Sequence, residues 1–316
     1  MTPLAAFLRD QIQSRGPISF HRFMDAALYH PEWGYYTRPR DPFGVKGDFY
    51  TAEQLQPAFG ILIRNIVQQL LPSSEATVVE LGAGRGEMAP YFSRWRYLPI
   101  DVRRGALPAS FHGLVFANEF FDALPVSLIE RRANNFHEVL VAYAGERFHF
   151  THGPSVDAHT ASYIAKYLPN LADGQRIEVN LAALDSFDSI NARLDRGYLL
   201  VIDYGYTTTE LIRFPQGTLM SYRAHRASDD VLADPGERDI TAHVNFTALR
   251  AHAESLHWRT VRIESLTQTL LRAGEADQFQ EALGASPQSR QHLKTLLFSM
   301  GDMFRTLLLA KNEPQT

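Results

Sequence analysis

Three glycines at alternate positions, Gly82, Gly84 and Gly86, follow Glu80 and the apolar stretch 77–79. The stretch reads as a short strand buried on both faces and ended by Glu80, and residues 88–95 read as the helix after the loop. A strand, a glycine loop and a helix N-terminus let backbone approach a ligand closely, because glycine has no Cβ. No Gly-Lys-Ser/Thr follows, which excludes a phosphate loop of the Walker type. Glu87 stands where a dinucleotide fold wants its third glycine. Further acids are spaced to meet the same ligand. Asp101 lies 21 residues beyond Glu80, near the end of a second strand over 97–102. A carboxylate there can accept the two hydroxyls of a ribose. Asn118, Glu119 and Asp122 follow an apolar strand over 114–117, at the edge where doubly wound folds hold ligands. The plainer reading of these three is a helix start, with Asn118 as cap and the acids favoured by the helix dipole. Asp203 ends the most apolar strand, 197–202, and can line the same cleft.

The chain that must carry these groups has 316 residues, 45 % hydrophobic and 21 % charged. That is an ordinary balance for a globular protein of one large or two modest domains. A net charge of −4 and a pI near 6.3 argue against a general nucleic-acid binder. There is no cysteine, so disulfides, thiolate metal sites and cysteine nucleophiles are excluded. No apolar run approaches a membrane span, and no signal-peptide pattern opens the chain. The twelve histidines form no ligand pair of the His-Glu-x-x-His kind. His149 and His152 are three apart but fall on a hairpin, and no metal is expected there.

The elements follow from period and punctuation. Thr2-Pro3 opens a helix that Gly16-Pro17 stops, and Ser19 caps a second one bearing Phe20, Phe23, Met24 and Leu28. An aromatic loop, 29–36, and an irregular loop, 44–51, lead to a helix over 57–71. Residues 136–150 alternate on both sides of Ala144-Gly145-Glu146, a hairpin signature. A helix over 156–167, a strand over 176–179 and a helix over 181–194 precede the 197–202 strand. Another helix spans 246–256 and a strand 261–263. The last apolar stripe, Leu293, Leu296, Leu297, Met300, Phe304, Leu307 and Leu308, reads as helical and core-facing.

Taken together, the motifs resemble one family, the MidA (DUF185) family of S-adenosylmethionine (SAM) methyltransferases. The acid two residues before the first glycine is typical of such enzymes. More specific are Gly47-Asp48-Phe49-Tyr50-Thr51, Asn118-Glu119-Phe120-Phe121-Asp122-Ala123-Leu124-Pro125 and Asp239-Ile240-Thr241-Ala242-His243-Val244. The mitochondrial members are arginine methyltransferases that assist assembly of respiratory complex I. The resemblance implies an α/β fold: a Rossmann-like seven-strand methyltransferase core with an N-terminal helical cap and an inserted hairpin and helical region. It divides a single domain into a cap over 1–72, a core over 73–134 and 175–316 with C-terminal helices, and an insertion over 135–174. It implies SAM as cofactor, held by Gly47, Asp48, Thr51, Glu80, Gly82, Gly84, Gly86, Asp101, Asn118 and Glu119. Glu119 and Asp122 are the expected catalytic residues. The implied partner is an acceptor protein, with a complex I subunit and a homodimer as specific forms, in the bacterial cytoplasm. A small-molecule methyltransferase, or an assembly factor with little catalysis, stays open as a reading. One departure stands out: between residue 101 and Asn118 the chain is too short for the family's usual helix and extra strand.

Overall fold

The strand that precedes the glycines lies inside a parallel sheet. The computed structural model describes residues 1–39 and 52–313. The expected cofactor contacts Gly47, Asp48 and Thr51 lie outside the described residues. In chain order the long strands of the main sheet are β1 (Thr77–Leu81), β2 (Arg96–Ile100), β3 (Phe111–Asn118), β4 (Leu194–Tyr206), β5 (Arg259–Ser265) and β6 (Phe304–Lys311). The sheet has seven strands, and its main path runs β5-β6-β4-β3-β1-β2. β2, β1, β3 and β4 are parallel neighbours. β6 is antiparallel to both β4 and β5. All five residues of β1 are buried, which is why it reads as an unbroken apolar run and not as alternation.

Two expectations about these elements change. β1 continues through Glu80 to Leu81, because Glu80 and Leu81 pair with β2 on one side and β3 on the other. The helix expected over 88–95 is a single turn, Ala89–Phe92. β2 claims the chain from Arg96, so the crossover ends early.

The C-terminal stripe also divides. Leu266–Gly274, Gln280–Gly284 and Ser289–Lys294 are helical and Thr295–Met300 forms a π-helical turn, but Phe304, Leu307 and Leu308 belong to β6. Leu307, Leu308, Leu309 and Ala310 are 0, 5, 0 and 2 % exposed. Burial of successive residues means burial on both faces, which a sheet interior provides and a one-faced helix does not. One face of the sheet is covered by a helix, Ala58–Leu70, whose Phe59, Leu62, Ile63 and Val67 join Val78, Phe116, Leu200 and Ile202 in one core.

The chain forms two compact units. The described residues of Thr51–Phe121, Ser186–Gly205 and Leu249–Thr316 make the unit of the main sheet. Those of Met1–Tyr50, Asp122–Asp185 and Tyr206–Ala248 make the other. The second unit has its own antiparallel five-stranded sheet, with path Ile18–Ser19, Asn135–Ala144, Ser127–Arg132, Arg176–Val179, and with Arg147–Ser155 paired to Asn135–Ala144. Gly145 and Glu146 turn this hairpin with φ of 57° and 63°. Two consecutive left-handed residues match the twist of the strands they join. Helices Pro3–Arg15 and Phe20–Tyr29 supply Leu4, Leu8, Ile12, Phe20, Phe23 and Leu28 to this unit's core, against Val126, Leu128, Val139 and Val141.

Among the described residues β2 is the last strand at its edge of the main sheet. The chain leaves it by a tight turn in which Asp101 and Arg104 bridge each other, and β3 starts at Phe111. The extra strand of the usual core has no counterpart in this stretch.

Candidate functional site

The glycine loop leaves β1 with φ of 69°, 45° and 80° at Gly82, Gly84 and Gly86. L side chains rarely adopt these values, so the loop requires its glycines. A Cβ on Gly82 would meet the Phe120 ring at 3.3 Å. The loop is held from the next strand. Asp101 Oδ2 accepts the Gly84 N–H at 2.7 Å, and its Oδ1 accepts the Val102 N–H at 2.7 Å. Arg104 donates to the Gly84 carbonyl at 3.2 Å. Asp101 therefore sits at the end of the second strand, as its spacing predicts, with both oxygens engaged in positioning backbone.

Glu53 and Glu80 of this unit are both buried, Glu80 in the strand before the loop. Glu80 is fully buried, and its Oε2 accepts the hydroxyl of Tyr97 from β2. Burial lifts its carboxyl to about 7, against the pull of the Tyr97 hydroxyl. Glu53, in the single turn Ala52–Gln54, is 7 % exposed. Burial, and then the charges of Glu80, Glu119 and Glu87, hold its carboxyl well above the usual range. Sequence reasoning misses Glu53, since nothing in Ala52-Glu53-Gln54 marks its acid from a surface one.

β3 delivers the next group. Asn118, its last residue, is 5 % exposed, and its Oδ1 has no hydrogen-bond partner. Glu119 takes a left-handed φ of 50°, unusual for a residue with a side chain. Its N–H is tied to the Ile202 carbonyl at 2.9 Å. Its Oε1 accepts from the Ala52 N–H at 3.0 Å and from Asn118 Nδ2 at 3.3 Å. Asp203, fully buried in β4, accepts the Phe121 N–H at 2.9 Å. Residues 118–121 are thus not a helix start: they are a strand end anchored to β4 by two backbone amides.

Asp122 opens a segment of the other unit. It is 4 % exposed, and its carbonyl accepts the Ala242 N–H at 3.0 Å. Its charge, with that of Asp239, acts on the hydroxyl of Tyr36, which burial raises and which donates to Asp239 at 2.8 Å. The structure brings together Glu80, the three glycines, Asp101, Asn118, Glu119 and Asp203 within the main-sheet unit.

These residues fit SAM. A buried carboxylate is stabilised by a paired cation, and SAM carries a sulfonium and an α-ammonium. An unpartnered buried amide oxygen at Asn118 is available to a polar ligand group. Gly86 leaves open space where a Cβ would be.

Comparison with known proteins gives the same result. The model of the S-adenosyl-L-methionine-dependent methyltransferase family matches residues 93–263, more than half of the chain. The mitochondrial protein arginine methyltransferase NDUFAF7 homolog of Drosophila melanogaster is 28 % identical, over 80 % of this chain and 70 % of its own. The NDUFAF7 protein arginine methyltransferase of Homo sapiens is 26 % identical, over 80 % of this chain and 69 % of its own. A Burkholderia thailandensis crystal structure bound to S-adenosyl-homocysteine superimposes with a TM-score of 0.87 at 29 % identity, covering 99 % of this chain and 93 % of that one. A chain with this sheet, this glycine loop and these relatives belongs to the family of S-adenosyl-L-methionine-dependent methyltransferases.

Proposed function

We propose that this SAM-dependent methyltransferase transfers the methyl group to an arginine of a partner protein, with Glu119 holding the guanidinium. The observation that supports the reading is Glu119 itself. It is a carboxylate at a strand end, on left-handed backbone, with one oxygen fixed by two donors. Strained and over-determined positions of this kind cluster at functional sites. The naming of the curated relatives as protein arginine methyltransferases supports the same acceptor.

When bound, SAM supplies a methyl group made electrophilic by the positive sulfur. The protein's task is then the acceptor. A guanidinium keeps its charge in proteins and its nitrogen lone pairs are delocalised. A carboxylate paired bidentately with it orients the fork and draws charge away from the attacking nitrogen. With one oxygen held by two donors, the Glu119 carboxylate would position that nitrogen, and proximity supplies much of the rate. The same carboxylate can accept the proton that the nitrogen gives up. Asp122, three residues on, is the second acid of the motif and a proposed catalytic residue in its own right. The partner's place is taken by an acceptor protein, a respiratory-complex subunit being the class the family resemblance suggests. No helix among the described residues is long and apolar enough to cross a membrane, and the bacterial cytoplasm is the compartment proposed.

Glu119→Gln keeps the size and removes the charge. Incubation with saturating labelled SAM and a captured partner should show transfer reduced ~100-fold or more, whatever the variant does to SAM affinity. Transfer that survives, or methyl found on lysine or on a small molecule, refutes the arginine reading.

A further inference from the structure

Asn118 and Glu119 are neighbours at the end of β3, and neighbouring side chains of a strand point to opposite faces. Here they meet: Asn118 Nδ2 donates to Glu119 Oε1 at 3.3 Å. The left-handed backbone at Glu119, with φ of 50°, breaks the alternation and turns the carboxylate back to the amide. Two ties hold it there. The Glu119 N–H bonds the Ile202 carbonyl of β4 at 2.9 Å, and the Ala52 N–H bonds the same carboxylate oxygen at 3.0 Å. Only the nitrogen end of an amide can face a carboxylate, so the orientation of the Asn118 amide is fixed. Its Oδ1 is left sealed, on a residue 5 % exposed, with no hydrogen-bond partner among the described residues. A buried acceptor without a donor is costly, and one kept at a strand end beside a functional acid calls for a donor from a ligand.

We propose that Asn118 is the residue that selects arginine over lysine, its Oδ1 and the Glu119 carboxylate together receiving the N–H groups of the acceptor's guanidinium. The proposal rests on the arginine reading given above and adds a second hydrogen-bond acceptor to it. A guanidinium presents five N–H donors in one plane, whereas an ammonium presents three that diverge from a single point. A carboxylate alone serves either cation. Two acceptors on adjacent residues, joined by the amide itself, suit the flat fork. The amide oxygen is neutral, so it adds a hydrogen bond without burying a further negative charge. An ammonium seated on Glu119 leaves Oδ1 unmet, and a site built to hydrogen-bond a group rejects strongly the analogue that lacks it. The left-handed residue is then the device that makes one site of two side chains.

Two small cations stand in for the acceptor side chains, ethylguanidinium for arginine and propylammonium for lysine. Each is titrated into protein saturated with S-adenosyl-homocysteine and followed by ligand-observed NMR. Ethylguanidinium should bind about tenfold more tightly than propylammonium, the effect of one more hydrogen bond to a charged group. Asn118→Ala should remove that preference by weakening ethylguanidinium about tenfold, with propylammonium, and S-adenosyl-homocysteine by calorimetry, within about twofold of wild type. An equal loss of both cations would make Asn118 a mere support of Glu119 and overturn the proposal. The family resemblance places Asn118 among the cofactor contacts. A variant that loses affinity for S-adenosyl-homocysteine and keeps the preference for guanidinium would give Oδ1 to the cofactor and overturn the proposal. A variant in which nothing changes leaves the oxygen to water and overturns it as well. Equal binding of the two cations by wild type overturns it even where Asn118→Ala fails to fold. The arginine reading is judged separately, by which residue of the captured partner carries the labelled methyl. Methyl on arginine with equal binding of the two cations removes only the role of Asn118, whereas methyl on lysine removes the reading itself.

Discussion

Glu80 links cofactor binding to the stability of the free protein. Its folded-state carboxyl sits at about 7, above the ordinary 4.5, because it is buried. A group raised on folding stabilises fully below its unfolded value, and that contribution is lost as pH rises through the folded value. The free protein's melting temperature should therefore fall between about pH 5 and 8. Glu80→Gln should flatten that fall, as followed by differential scanning fluorimetry; an equal slope in the variant would show that other groups set it. At this scale the sequence is informative where a residue's type and spacing are themselves the signal. The glycines of the loop, Glu80 before them and Asp101 after the second strand are such residues. What each carboxylate touches is less legible. Spacing places Asp101 at the strand end, but only the fold shows its oxygens on the Gly84 and Val102 amides. Glu53 gives no local signal at all, because the burial of a single turn is decided by residues distant in the chain.

Strands and helices were legible in proportion to how one-sided their surroundings are. The Asn135–Ala144 and Arg147–Ser155 hairpin alternates, carries its own turn and is found where expected. β6 misleads because Phe304, Leu307 and Leu308 also fit a helical stripe, and burial on both faces erases the period that would tell them apart. Close packing of strands leaves a second, subtler demand. Gly113 of β3 pairs with Thr77 of β1 and Gly197 of β4. Its φ is 147°, and a Cβ there would lie 1.9 Å from the Thr77 carbonyl oxygen. Gly113→Ala must push two strands apart or leave its conformation. We expect a loss above about 3 kcal/mol, or insoluble protein, in urea unfolding, at the severe end for point changes; a loss under about 1 kcal/mol would show that the ladder yields easily. The edge position of β2 affects binding instead. Without a further strand and helix beyond it, less apolar surface is available to bury an adenine, at about 25 cal/mol per Å². SAM should bind with a Kd of about 10 μM or weaker by calorimetry. Submicromolar binding would mean that another segment covers the ring.

Each compact unit draws on three separate stretches of chain. That interleaving is invisible to composition and periodicity, which see neighbours in sequence, and it explains why residues 118–122 read as one loop while the described contacts of Phe121 and Asp122 lie in different units. The main sheet is also completed out of sequence. β6 lies between β5 and β4, although it follows both in the chain. A chain stopped at residue 303 should keep helical signal by circular dichroism but give no cooperative urea transition; a sharp transition would show that β5 and β4 hold without it. The same strand order bears on synthesis. On the ribosome, the apolar run Leu199, Leu200, Val201 and Ile202 emerges while its partner in β6 is still untranslated. At ~5–20 residues per second, residues 207–303 take roughly 5–20 s to make. Throughout that interval the nascent chain displays a bare, strongly hydrophobic strand edge, the kind of surface that trigger-factor-like and Hsp70-like chaperones shield.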